Sequence, residues 1–433
     1  MSFTITNIVN RRYIIYPLTK CKRRYSCTYN IKRYMNEEGE RKISLHTAPI
    51  FDVEDVMNKE KLLYVIKNIQ IVDLKEKNIL NNISNLLKKY INEYTIEEIY
   101  TIIHIFCKLN FTKYSLYNNF IKIIMNKKPK IDSRMLTQIL IDLHKLSSLD
   151  INVLTFFTQY YIKKETHQFS LFDLSMILYI FNKYNYNHME TVDNISKTIS
   201  QYFLPYIDQD KGVLTTILLS ISTLNLNYQF YLDVMKKHVY KKYEHFEVKY
   251  LCNILYSILL RLVNTLHKDD ILNIMLNDIM YILLNNINKL KNEELKQLHI
   301  SLYYLKDMKE EKYEEARKII EKKNIKDTVT TSKIQQQIAK LFKEIGLNVE
   351  KEFLIGPYVL DFALKKKKIC IEVNGFTHYY TFNGKINAKT TLKYYILNKL
   401  KWKVLTIEYM DWKNKSKEDK IKYLETNVLE KIM

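Results

Sequence analysis

Apolar residues recur along residues 60–305 with a period longer than any single helix. If the first position of each unit is called a, apolar side chains stand at a, a+3, a+7 and a+10. The first unit is Leu62, Val65, Ile69 and Val72; the second is Ile99, Ile102, Phe106 and Leu109. Leu136, Ile139, Leu143 and Leu146 follow, then Leu174, Ile177, Phe181 and Tyr184, then Leu214, Ile217, Ile221 and Leu224. The sixth unit holds Leu251, Ile254 and Ile258, with Arg261 in its last slot, and Leu295, Leu298, Leu302 and Leu305 close the series. Starts fall 37, 37, 38, 40, 37 and 44 residues apart. Position a+4 widens the stripe with Ile66, Ile103, Leu140, Leu178, Leu218 and Leu255, and becomes His299 in the last unit. Spacings of three and four residues put these positions on one helical face.

A second amphipathic segment follows most units, as in Leu116–Met125, Val153–Ile162 and Phe230–Val239. A helix pair of this kind cannot bury its stripe alone, so the units are expected to stack into an α-solenoid over 59–325. The alternative is an irregular helical bundle. The highly charged stretch 306–330 is expected to give the partner helix of the last unit and then a linker. At about 100° per residue, a+2 and a+9 point away from the stripe. Position a+2 holds Thr101, Gln138, Thr216, Asn253 and Gln297; position a+9 holds Lys108, Lys145 and Lys183 in three successive units. Amides can read unstacked base edges and a lysine row can follow phosphates. An ordinary solvated face of a lysine-rich chain would carry the same residues.

The pattern changes after residue 330, where four of the six glycines and both tryptophans lie. Thr331–Ile345 reads as an amphipathic helix closed by Gly346. Tyr358–Ala363 and Lys368–Val373 read as strands joined by the basic turn Lys365–Lys368. Thr391–Leu400 reads as helix and Lys403–Ile407 as a further strand. The predicted order is α-β-β-β-α-β over 331–433, with Asp361 and Glu372 on successive strands.

The constellation Gly356-Pro-Tyr358 to Asp361, Ile371-Glu-Val-Asn-Gly375 to His378, Thr391-Leu-Lys393, and Trp402-Lys-Val404 to Tyr409 and Trp412 resembles the RAP domain, with a core over 353–412. That is an RNA-binding module abundant in apicomplexan proteins, and it looks like a small relative of the PD-(D/E)XK nuclease fold. The helix-pair spacing is similar to the octatricopeptide and heptatricopeptide repeats found upstream of such domains. The fold expected from the resemblance is mainly α, a solenoid followed by a small nuclease-like α/β domain. In nucleases of that fold, an Asp and a Glu-x-Lys hold a divalent cation that activates water, and the Lys orients it. Asp361 and Glu372 fill the acid slots and would hold Mg²⁺ or Mn²⁺ if the module is a nuclease. Asn374 stands in the Lys slot. The RAP pattern usually has Asp there and Pro after the Gly, where this chain has Asn374 and Phe376. His378 is a candidate general acid, so Asp361, Glu372 and His378 are the catalytic candidates. For a binding-only role the two acids would cap strand ends, and no cofactor is required. RNA contacts are then expected from Lys365, Lys366, Lys367, Lys368 and Lys393, with Tyr379, Tyr380, Tyr409 and Trp412 as stacking rings. Gln138, Asn253, Lys108, Lys145 and Lys183 would contribute from the solenoid. Trp402 is expected in the core.

Composition sharpens the partner class. The chain has 433 residues, enough for more than one domain. Its net charge of +21 favours an anionic polymer as partner, although an AT-rich genome would also inflate Lys, Asn, Ile and Tyr. No uncharged apolar run is long enough to span a bilayer. Residues 1–36 contain eight Lys or Arg and no acid before Glu37, the profile of a mitochondrial targeting segment followed by a linker at 37–58. A basic arm touching nucleic acid would look similar. The five cysteines form no C-x-x-C, so neither a disulfide framework nor a zinc site is indicated. The expected protein is a mitochondrial matrix factor binding single-stranded RNA, mitochondrial rRNA or mRNA. Its role would be RNA processing, stability or assembly, with ribosomal or other RNA-processing proteins as partners. A metal-dependent endoribonuclease and a protein-binding scaffold are the alternatives.

Overall fold

The computed structural model describes residues 58–68, 77–265, 269–308, 310–323 and 332–432. The basic segment 1–36, the linker up to residue 57, and Ile69 and Val72 of the first unit lie outside these residues.

The repeat region forms seven consecutive helix pairs. They are α1 (Lys59–Asn68) with α2 (Lys77–Lys89), α3 (Ile96–Lys108) with α4 (Tyr114–Lys127), and α5 (Ser133–Lys145) with α6 (Ile151–Phe157). Next come α7 (Leu171–Lys183) with α8 (Met189–Thr198), α9 (Lys211–Leu224) with α10 (Tyr228–Val234), and α11 (Val248–Asn264) with α12 (Asp270–Asn285). The last pair is α13 (Asn292–Tyr304) with α14 (Glu311–Lys322), so the charged stretch does supply the final partner helix. The first helices start where side-chain caps satisfy free amides: Thr95 in a capping box before α3, Asp132 before α5, Ser170 before α7 and Asp210 before α9. Helices α6, α8 and α10 each run on into a π-helical turn, at Thr158–Ile162, Ile199–Phe203 and Met235–Val239. This shared feature marks three successive units as copies of one device.

Each first helix packs on the first helix of the next unit, from α1 through α13. The predicted stripe is the seam of that stack: Leu62, Ile66, Ile102, Ile103, Leu140, Leu178, Leu218 and Leu255 are all buried. Polar side chains stitch neighbouring units at the repeat spacing. His104 Nδ1 lies 2.8 Å from Asp142 Oδ2, Arg134 pairs with Asp173 at 3.0 Å, and Gln297 Nε2 donates to Asn253 Oδ1 at 3.0 Å. Arg261, the exception to the apolar pattern, is buried and donates to the carbonyls of Ile221 and Leu226 in the preceding unit. It closes an inter-repeat joint that an apolar residue could not satisfy.

The C-terminal module follows the predicted order. Helix α15 (Lys333–Glu344) starts in a capping box at Ser332 and ends before Gly346, which takes φ +74° as expected of a C-terminal glycine. Strands β1 (Glu350–Ile355), β2 (Tyr358–Leu364), β3 (Ile369–Asn374) and β4 (Lys403–Glu408) form one sheet in that order. β1–β2 and β2–β3 are antiparallel. β3–β4 is parallel, as the crossover through α16 (Ala388–Lys399) allows. A short helix α17 (Tyr409–Trp412) and α18 (Lys417–Leu424) follow. On one face, α15 and the C-terminal helical segment cover Phe362, Ile371, Val373, Ile407 and Trp412. On the other, Leu397 of α16 meets Leu360, Ala363, Cys370 and Trp402, so Trp402 is core as expected.

Helix α16 carries apolar residues on two sides because it has two neighbours. Its residues Ala388, Leu392 and Ile396 belong to the solenoid core, packed beside α9, α11 and α13. Sheet and solenoid thus share one helix.

Candidate functional site

Asp361 and Glu372 lie on the adjacent strands β2 and β3, as predicted. Asp361 Oδ2 accepts the amide of Val373 at 2.7 Å, beyond Phe362↔Ile371, where regular pairing of those strands stops. Its carboxylate therefore continues the ladder in place of a carbonyl. Oδ1 accepts Gln335 Nε2 from α15 at 2.7 Å. Glu372 is 1% exposed. Its Oε2 receives Lys393 Nζ at 2.6 Å, while Oε1 is buried without a hydrogen-bond partner. Burial raises the Glu372 pKa above the ordinary carboxylate range; Lys393 opposes this and the nearby Asp361 charge adds to it.

Lys393 also donates to the Val359 carbonyl at 3.2 Å. The sequence placed it among phosphate contacts; the structure places it inside the module, tying α16 to β2 and β3. Asn374 is fully buried, accepts Tyr394 OH at 2.6 Å and donates to Glu408 Oε1 at 3.2 Å. A lysine in this slot could not accept from Tyr394. His378 lies just past the end of β3, with Nδ1 3.3 Å from Thr390 Oγ1. Burial first, and Lys393 second, lower its pKa, which favours the neutral ring.

The fit of this acid pair to a divalent cation can be judged from its donors. Both Asp361 oxygens accept hydrogen bonds, and Lys393 occupies the bonded oxygen of Glu372 in a closed interior. A cation between them would have to displace Lys393, so the arrangement does not fit one as it stands. Among the described residues, no group of three or more His, Cys, Asp or Glu is placed to hold a metal ion.

An exposed aromatic side chain lies at the C-terminal ends of the two parallel strands. Phe376, just after β3, is 60% exposed, and its ring stands 4.7 Å from that of Tyr409, just after β4, at 62°. Parallel strands end together, so their following residues form one ledge. Tyr409 was read from sequence as a stacking ring; Phe376, its partner, was noted only as a departure from the RAP pattern. Trp412 corrects an expectation. It is 1% exposed and donates Nε1 to Gln337 Oε1 at 3.0 Å, so it is core rather than a base platform. Tyr380 is likewise turned inward, donating its hydroxyl to the Thr223 carbonyl at 2.6 Å. Lys365, Lys366, Lys367 and Lys368 form an exposed turn between β2 and β3. That turn is at the opposite end of β3 from Phe376.

On the solenoid, Lys108, Lys145 and Lys183 are exposed and each is the last residue of its helix. Gln138 and Asn253 are half-buried and committed to neighbours, Gln138 to Asp142 at 2.9 Å and Asn253 to Gln297. The Asn253–Gln297 bond joins two units, whereas Gln138 bonds within its own helix, so one end of each amide is taken. No described helix is long and apolar enough to cross a membrane.

Residues 371–427 match the family model of the RAP domain. The match opens within β3 and takes in Glu372, Asn374, Phe376, His378, Lys393, Tyr409 and Trp412, with Asp361 before it. The chain therefore carries a RAP domain, the mark of an RNA-binding protein family, behind a helical repeat region.

Proposed function

We propose that this protein is a mitochondrial factor that binds single-stranded RNA and acts in processing, stability or assembly of organellar transcripts, ribosomal RNA foremost. The observation that carries the reading is the RAP domain, with exposed Phe376 against half-buried Tyr409, in a chain of net charge +21. Aromatic faces accept any base, and lysines neutralise the backbone. The acid-free, basic stretch 1–36 supports import into the matrix. Ribosomal or RNA-processing proteins would join it on the same transcript. Crosslinking in cells followed by sequencing of bound RNA tests the reading. Recovery of organellar rRNA or mRNA is the expected result, and a tagged protein outside mitochondria, with no enriched RNA, would overturn it.

The endoribonuclease alternative assigns Mg²⁺ or Mn²⁺ to Asp361 and Glu372, with His378 as acid. The Lys393–Glu372 pair favours binding without cleavage. Purified protein is expected to leave labelled RNA intact in either metal. Cleavage that disappears in Glu372→Gln would reverse this preference.

A further inference from the structure

The a+9 edge of the solenoid changes character halfway along. In the second, third and fourth units it holds exposed Lys108, Lys145 and Lys183. In the fifth, sixth and seventh it holds Thr223, Leu260 and Tyr304. Thr223 and Leu260 are buried, and the RAP domain sits on this stretch. Tyr380 bonds the Thr223 carbonyl, and Tyr304 stacks with Tyr395 of α16 at 5.6 Å. The domain thus occupies the later units' share of the edge on which the earlier units carry lysine.

The lysine row and the domain meet at one seam. Asn185, two residues past Lys183, accepts the Thr381 amide at 2.9 Å and donates Nδ2 to the Thr377 carbonyl at 3.1 Å. Thr377 is the neighbour of Phe376 in the chain. Lys389, at the start of α16, is reached by solvent. Its ammonium pKa is lowered first by the protein crowded around it and second by the charge of Lys183. His144 feels both Lys145 and Lys183, after burial. Like charges are therefore gathered along this line, and a polyanion would relieve their repulsion.

We infer that single-stranded RNA runs along the ends of α3, α5 and α7 past Lys108, Lys145 and Lys183, then crosses at the Asn185–Thr377 seam onto Lys389 and the Phe376–Tyr409 ledge. The second to fourth units and the RAP domain form one continuous site, and the fifth to seventh units are its dock. This rests on the RNA-binding reading and gives it a path. First helices that pack about 8–10 Å apart set the lysine spacing, long enough for extended RNA to be held at one contact per unit.

The test uses the full chain and fluorescent oligouridylates of increasing length, titrated at several salt concentrations. The triple variant Lys108→Ala, Lys145→Ala, Lys183→Ala should weaken binding of long oligomers at least tenfold. It should also reduce the slope of log affinity against log salt by about 2, the value for three phosphates on a single strand. The shortest oligomers that still bind should be unaffected. Phe376→Ala with Tyr409→Ala should weaken all lengths by about tenfold with little change of slope. Phe376→Ala alone serves if the pair unfolds, because that side chain is largely solvent-exposed. The control triple Lys122→Ala, Lys197→Ala, Lys237→Ala removes equal charge from exposed positions on the second helices and their π turns. If the ledge variants weaken binding but the edge triple behaves like the control at every length, the path is wrong and the RNA-binding reading survives. If the wild-type chain binds no oligomer, both fail.

Discussion

Glu372 and Lys393 form a buried ion pair in the RAP domain, and neither is stable there alone. Lys393→Met leaves an uncompensated carboxylate and should cost about 3–5 kcal/mol in chemical denaturation. The loss has a pH signature. The folded-state pKa of Glu372 is raised, so the native chain holds the proton more tightly than the unfolded chain. The stability tied to this group therefore falls as pH rises from the ordinary Glu value through the raised one. Removing Lys393 takes away the main opposing influence, pushes the native pKa higher and extends that window upward. The variant's deficit should grow from acidic to neutral pH, and Glu372→Gln in the same background should remove the pH dependence. A deficit that is flat with pH would mean the carboxylate reaches water in the variant. Sequence placed Glu372 on its strand but misjudged Lys393, because an exposed cation and a buried partner look alike until the helix carrying it is docked. Trp412 was misjudged for the same reason.

At the scale of elements, the solenoid was readable because its signal is repeated: the stripe that defines each unit is the seam between units. Leu178→Ala, in the middle of that seam, should cost about 2–5 kcal/mol by cavity formation, read as a lower thermal midpoint of the helical signal. The α/β order was readable too, from strand-length apolar runs and Gly346. The docking of α16 was not, since the hydrogen bonds of α16 and of the segment before it join residues 95 to 196 positions apart. One hint was present: the apolar residues of α16 lie on more than one side of the helix. Tyr380 latches this docking. Tyr380→Phe leaves the Thr223 carbonyl and the Ala388 amide without their partner, at about 1–3 kcal/mol for each orphaned group. Hydrogen exchange should accelerate in 376–388 while α3 to α6 stay protected; unchanged exchange there would remove the latch. Gly356 belongs to the same interface. At φ +53° its Cβ position lies 2.5 Å from the Tyr303 ring, so Gly356→Ala should destabilise the β1–β2 turn and its seat on α13.

For the whole molecule, buried histidines set the response to acid. His144, His188, His238, His299 and His378 all have pKa values lowered chiefly by burial. Each takes up its proton more readily when unfolded, so stability falls as pH drops below the ordinary His value of about 6.5. Glu372 and Glu408, with raised values, act in the opposite sense, but they are two against five. The thermal midpoint should therefore decline on mild acidification, and a rise would show that the carboxyls dominate. The joint between the solenoid and the RAP domain has a different kind of robustness. On the solenoid side, Asn185, Thr223 and Tyr304 accept hydrogen bonds from Thr381, Tyr380 and Lys399 through their peptide oxygens. Peptide oxygens are common to every amino acid, so the outward side chains of the lysine row can be rewritten to prefer another nucleotide sequence while the coupling that holds the reader in place stays intact.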